Sequence, residues 1–190
     1  MVKLSAAAVE DPLADDSITR WQRGNEDLLR AAGMEWTLLR PRSFMSNALA
    51  WAGSVRTEHV VRALYGSSVN AWSTPRHRGC GGTGAHRARP RRPCVHADRP
   101  QAVSAREQTA QLAELLGRPL RFEELEPGHA CALWSERHPA SVVEALLDHA
   151  RRQRDGAKTR VENTVAELVG RPARSFQEWA GTHLSSFMPL

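Results

Sequence analysis

Few residues in this chain can be set into a catalytic arrangement. A tyrosine that donates a proton needs a cation beside it to lower its pKa, and a lysine one helical turn further on supplies it. The single tyrosine is Tyr65, position 69 is Val69, and the lysines are Lys3 and Lys158. No such pair forms, so no catalytic residue is assigned. His59, His129, His138, His149 and His183 have no Ser or Cys partner in a recognisable pattern and read as surface or packed side chains. Cys131 reads as a small buried side chain, and Glu123, Glu124 and Glu126 as a solvated acidic run.

Two other constellations can be weighed on spacing. Cys80, Cys94, His77, His86 and His96 are metal-ligand types, but no C-x-x-C or H-x-x-x-H pairing links them. No metal is expected. Gly79-Cys80-Gly81-Gly82-Thr83-Gly84 satisfies G-x-G-x-x-G. That pattern holds a pyrophosphate only between a buried strand and a helix. Here Pro75 to Arg78 precede it and His86 to Pro93, with two prolines, follow. The dinucleotide loop is rejected.

The elements around these residues alternate. Val2 to Ser5 predicts the end of a strand, and Glu10 to Asp16 an acidic loop. Ser17 is the expected cap of a helix with Ile18, Trp21, Asn25, Leu28, Leu29 and Ala32 on one stripe, closed by Gly33. Met34 to Leu39 predicts a strand ended by Arg40-Pro41, and Ser43 to Val55 a second amphipathic helix. Further on, Ser104 to Leu116 predicts a helix stopped by Gly117, and Leu120 to Leu125 a strand. Helices follow at Ala140 to Arg154, Thr164 to Val169 and Ser175 to Ser186. In the first of these, Arg151, Arg152 and Arg154 suit the dipole at its C-terminus. Such alternation is what a parallel sheet with crossover helices requires.

The totals narrow the class. The chain has 190 residues, 41% hydrophobic and 25% charged, as in soluble globular proteins. No apolar stretch is long enough to span a membrane, and Met1 to Ser5 carry no secretory signal. Three cysteines without close pairing make no disulfide framework, which fits a reduced, cytoplasmic setting. The formal charge of +5 is local: residues 72–100 hold seven arginines against Asp98, and the remainder is slightly acidic.

That stretch cannot bury enough apolar surface to offset its ordering entropy, since Val95 is its only aliphatic larger than alanine. Two readings of it stand. One is a basic arm, with nonspecific polyanion contact through residues 76–99, as in a small regulatory or nucleic-acid-binding protein. The favoured one is translation out of frame, because Arg, Pro, Gly, Ala and His dominate wrong-frame reading of a GC-rich gene. Shifting permissible codons for His86 to Pro100 by one base can give LTEPGHAGRAYTLTGP, an apolar–polar pattern ending in a strand. The expected organisation is therefore residues 1–71, an irregular segment 72–100, and a helical lobe 101–190.

Three blocks carry a resemblance. Glu26 to Pro41, followed by Phe44-Met45-Ser46-Asn47, resembles the "E-x-x-L-x-x-S-G-x-x-[WY]-T-x-L-R-P-x-x-F-M-x-N" stretch of the NmrA-like, atypical short-chain dehydrogenase/reductase family. Ser104 to Gln108 with Leu116-Gly117-Arg118-Pro119 resembles its later helix, and Val165 to Phe187 its C-terminal block.

The resemblance implies a Rossmann-like α/β parallel sheet binding NAD(P), a small helical lobe shaping the cleft, and a small-molecule substrate. It implies quinone or carbonyl reduction, or cofactor sensing without chemistry. Ser5 matches the serine at a strand end that opens toward the nicotinamide, with turn capping as the other reading. Arg40, Pro41 and Phe44 match the loop lining that end of the cofactor, with core packing the other reading for Phe44. The family's glycine loop lies on its first strand, whereas this chain starts at what resembles the fifth. The resemblance thus implies a chain lacking its N-terminal βαβ units, inactive and without bound cofactor.

Overall fold

The computed structural model describes residues 1–73, 94–96 (backbone only), 102–157, 159 and 173–189. The Gly79–Gly84 pattern, the arginines of 76–99, Cys80, His77, His86, the side chains of Cys94 and His96, Lys158 and the helix expected at 164–169 lie outside the described residues.

The strands are short and pair in parallel. β1 (Val2–Leu4) lies beside β2 (Thr37–Arg40), with Leu4 opposite Leu39. β2 pairs on its other side with Cys94–His96, giving the order β1-β2-β6 once β3 (Ser43–Phe44), β4 (Val60–Ala63) and β5 (Trp72–Ser73) are counted. β3 pairs with β5, and β4 with β7 (Arg121–Glu124). Between the strands run helices α1 (Ser17–Ala31), α2 (Ala52–Thr57) and α3 (Ala105–Leu116). After β7 come α4 (Pro127–Ser135), α5 (Ala140–Arg154) and α6 (Phe176–Thr182). This is the α/β alternation expected of a Rossmann-like fold.

Several local expectations hold. Ser104 caps α3 in a capping box: the Glu107 N–H donates to Ser104 Oγ (3.2 Å) and the Ser104 N–H to the Glu107 carboxylate (2.7 Å). Gly33 and Gly117 end their helices at φ +66° and +63°, where a Cβ would be strained. Ser175 caps α6 through Glu178 in the same way.

Others change. The cap of α1 is Asp16, whose Oδ1 accepts from the Thr19 N–H (2.9 Å); Ser17 Oγ instead donates to the Ser141 carbonyl of α5 (3.0 Å). The helix expected from Ser43 starts as strand β3, because Ser43–Phe44 pairs with Trp72–Ser73. A 3-10 helix over Met45–Trp51 then leads into α2. Within the segment read as irregular, Trp72–Ser73 and Cys94–His96 are strands.

The apolar stripe of α1 faces inward only in part: Leu29 is buried and Ile18 half-buried, but the rest is not. Trp21 and Leu28 are 65% and 73% exposed, while Thr19, Glu26 and Leu29 are buried. The inner face is polar because Glu26 meets a buried arginine beneath it. The main apolar core lies elsewhere. Met45, Val55 and Val61 pack with Leu112, Trp179 and Phe187, joining the first part of the chain to the last helices. Trp72 closes this core and donates from Nε1 to the Val103 carbonyl (3.2 Å).

Candidate functional site

Parallel strands bring their carboxyl ends to one side, and open α/β sheets bind ligands in the crevice outside those ends. Here the pairing of β1 with β2 continues beyond Leu4. The Ser5 N–H donates to the Leu39 carbonyl (2.7 Å) and the Ala7 N–H to the Pro41 carbonyl (3.0 Å). The chain then turns into a 3-10 helix at Ala7–Glu10. Ala6 to Ala8 and the Pro41–Phe44 turn are thereby fixed side by side at the strand ends.

A cavity of about 70 Å³ opens there, lined by Ala6 to Ala8, Asp11, Arg42, His149, Arg152 and Ala157. A larger hollow of about 330 Å³ lies between the start of α1 and α5. It is lined by Asp16 and Asp148, the acids that Arg152 of the smaller cavity also holds, and within it Asp15 pairs with Arg20 (3.4 Å) and Asp148 with Arg151 (3.2 Å); the smaller cavity is the one lined by the residues that follow β1. The smaller cavity is the better candidate.

Its polar wall is organised by Asp16. Arg152 Nη2 lies 2.7 Å and His149 Nε2 3.3 Å from Asp16 Oδ2, while Arg152 Nη1 reaches Asp148 (3.2 Å). Burial works against the Asp16 charge, but hydrogen bonds from Thr19 and Arg152, and the neighbouring His149, outweigh it. They hold the carboxyl far below the ordinary carboxylate range. From the other wall, Arg42 Nη1 donates to the Ala157 carbonyl (3.0 Å).

All four residues implied by the resemblance sit at the strand ends, yet they differ in what they offer. Ser5 is buried and its hydroxyl donates inward to Glu26 Oε1. Arg40 is buried and grips Glu26 with Nε (3.0 Å) and Nη2 (2.5 Å), with Nη1 turned to Glu10. Burial would raise the Glu26 pKa; the hydrogen bonds from Arg40 and Ser5 and the charges of Arg40 and Arg30 instead hold it below its ordinary value. Pro41 is buried with its carbonyl taken by Ala7, and Phe44 is half-buried in β3. Asn47 is exposed.

Sequence reasoning missed Arg42, His149 and Arg152 as one group. The signal was the three-residue spacing of His149 and Arg152, which puts both on one helix face. Tyr65 stands apart, its ring under the Arg154 guanidinium at 5.2 Å. Among the described residues, no group of side chains could hold a metal, and no helix is long and apolar enough to cross a membrane.

No family model matches the chain. It is 49% identical over 195 residues to a (4-alkanoyl-5-oxo-2,5-dihydrofuran-3-yl)methyl phosphate reductase from Streptomyces griseus subsp. griseus, covering 100% of this chain and 67% of the relative. It is 28% identical over 183 residues to an NAD(P)H azoreductase from Xenophilus azovorans, covering 95% of this chain and 63% of the relative. In fold it matches an NADPH-dependent quinone oxidoreductase from Escherichia coli, with TM-score 0.79 at 18% identity, over 97% of this chain and 66% of the other. A triphenylmethane reductase from Citrobacter sp. matches with TM-score 0.77 at 13% identity, over 97% and 64%. The chain thus spans about two thirds of the length of these proteins.

The fold is Rossmann-like, and the relatives it matches are named as reductases. The chain belongs to the NmrA-like, atypical short-chain dehydrogenase/reductase family.

Proposed function

We propose that this chain forms the substrate side of an NAD(P)H-dependent reductase acting on a small oxygenated ring bearing a phosphate ester. The observation that carries this reading is the 49% identity over the whole chain to a reductase of such a compound. NAD(P)H would supply the hydride. The residues described here would seat and orient the acceptor at the strand ends.

The fit to the cofactor is partial. Ala6 to Ala8 line the cavity with small side chains, which leaves room beside the strand end for a ring edge. Ser5 and Arg40 contribute to that end through backbone placement, since their side chains are engaged with Glu26. Pyrophosphate needs a run of backbone N–H groups where a strand turns into a helix. Among the described residues, no strand-to-helix turn is glycine-rich. We infer that the 190-residue chain alone does not hold the dinucleotide tightly and does not turn over. The reading of residues 72–100 as out of frame rests on their composition, and sequencing the source DNA decides it.

The test is a pair of titrations on the purified 190-residue chain. An acyl-butenolide methyl phosphate should bind, while NADPH fluorescence should be unchanged at micromolar protein. The full-length Streptomyces griseus relative should bind both. Stoichiometric NADPH uptake by the 190-residue chain would overturn the cofactor half of the reading. Failure of the chain to bind the butenolide would overturn the substrate half.

A further inference from the structure

We propose that the open edge of β1 and the exposed stripe of α1 dock a second polypeptide, a strand–helix unit whose strand runs parallel to β1. Among the described residues β1 ends its sheet, with β2 on one side only. The Thr37 N–H donates to the Met1 carbonyl (2.8 Å) and the Ser5 N–H to the Leu39 carbonyl (2.7 Å). By the alternation of a strand, the N–H groups of Val2 and Leu4 point the other way, toward the open edge. On that side the Leu4 carbonyl takes a long hydrogen bond from Lys3 Nζ (3.3 Å), a contact that an incoming N–H replaces.

Apolar surface gathers at the same place. Of the ten large apolar side chains exposed among the described residues, seven lie between Met1 and Met34. Lys3 and Ser5 reach Gln22 and Glu26 of α1, so Val2 and Leu4 share the opposite face of β1, where they are 39% and 37% exposed. On α1, Trp21, Gly24 and Leu28 form one exposed stripe at helical spacing. A Cβ at Gly24 would meet nothing within 4 Å, which leaves room for a close helix. Lys3 Nζ lies 6.0 Å from the Trp21 ring centroid, so the stripe stands over β1. A parallel sheet keeps both faces covered. A strand on the open edge continues the Val2–Leu4 face, and its helix lies along Trp21 to Leu28.

Length argues for this occupant. The Streptomyces griseus reductase and the Escherichia coli quinone oxidoreductase each carry about a third more chain than this one matches. A second copy fits less well, since a two-fold axis would set β1 antiparallel to its mate over three residues. Parallel addition brings the turn after the partner's strand beside Ser5 to Ala8. Backbone N–H groups there would meet the pyrophosphate, a consequence that rests on the reductase reading above.

The experiment co-expresses the full chain with a tagged second polypeptide, the third of the Streptomyces griseus reductase that this chain does not match. The chain should be recovered with the tag in equal amount, and the complex should enhance NADPH fluorescence. Val2→Pro removes an outward N–H, and Trp21→Gln with Leu28→Lys removes the stripe. Each should cut recovery about tenfold or more, with circular dichroism and melting of the chain alone unchanged. Met188→Lys, an exposed apolar position outside the first 34 residues, should leave recovery as it was. No recovery of the unsubstituted chain, or recovery that both sets of substitutions leave intact, would overturn the docking surface. A dimer of the chain alone in sedimentation, broken by Val2→Pro, would give the edge to a second copy and overturn the proposal. A complex that forms and leaves NADPH unbound would uphold the docking surface and count against the reductase reading.

Discussion

Glu26 of α1 and Arg40 at the end of β2 form a two-point ion pair inside the protein, with the Glu26 carboxylate wholly withdrawn from solvent. Ser5 at the end of β1 donates to the same carboxylate, and Arg30 reaches it from one turn along the helix (2.8 Å). One acid thereby ties a helix to two adjacent strands directly beneath the candidate site.

Removing one partner leaves a buried charge compensated only in part, by Arg30 and Ser5 for Glu26 or by Glu10 for Arg40, and such a loss costs up to about 3–5 kcal/mol. Glu26→Ala and Arg40→Ala should each lower stability by that order in urea unfolding. The double variant Glu26→Leu with Arg40→Met should lose less than the two single losses combined. Additive losses would mean that the pair is not coupled.

The same carboxylate sets an acid limit. The Glu26 and Asp16 carboxyls are both held below their ordinary values in the folded chain. The unfolded chain therefore binds more protons through the range around pH 4, so stability rises with pH there. Their contribution is complete above the ordinary carboxylate range and is lost as pH falls through the lowered folded values. Melting temperature should drop on acidification below about pH 5, less steeply in Glu26→Gln. A profile as steep in the variant as in the parent would contradict this.

How far the sequence was legible depended on which force governed each element. Caps and stops were readable because they are local: Ser104 with Glu107, and Gly117 after Leu116, need no distant partner. The inward face of α1 was not. Its apolar stripe marked Leu29, which is buried, together with Trp21 and Leu28, which are exposed; the polar part of the buried side is set by Arg40, fourteen residues away from Glu26 and on another element. β4 (Val60–Ala63) is too short to show alternation, and its place is fixed only by pairing with Arg121–Glu124. Within the site, the Arg-Pro turn and Phe44 could be found from their motif. His149 and Arg152 meet Arg42 only through the packing of α5 beside the strand ends.

Trp21 and Leu28 carry a prediction of their own. They stand largely in solvent, so Trp21→Gln with Leu28→Lys should change unfolding free energy by no more than about 0.5 kcal/mol per site. The pair should raise solubility, since the exposed apolar area shrinks. A loss above about 2 kcal/mol in chemical denaturation would place these side chains in a packed interior.

Gly66 marks a close approach between two elements. A Cβ there would overlap Phe122 Cζ and Cε1 of β7, on whose ring the Arg106 guanidinium lies at 4.6 Å. The Gly66 N–H also donates to Glu124 Oε1 (2.8 Å). Gly66→Ala should cost about 1–3 kcal/mol through overpacking, read as a lower midpoint at unchanged m value. Gly53→Ala, where a Cβ meets nothing within 4 Å, should not destabilise.

The most direct measurement is amide chemical-shift mapping of the full 190-residue chain titrated with an acyl-butenolide methyl phosphate. The perturbed amides should gather at Ser5 to Ala8, Arg42 to Phe44 and His149 to Gln153, around the strand ends. Perturbations gathered instead in the hollow lined by Asp15, Arg20, Ser141 and Glu144, or spread evenly over the chain, would contradict the placement of the site.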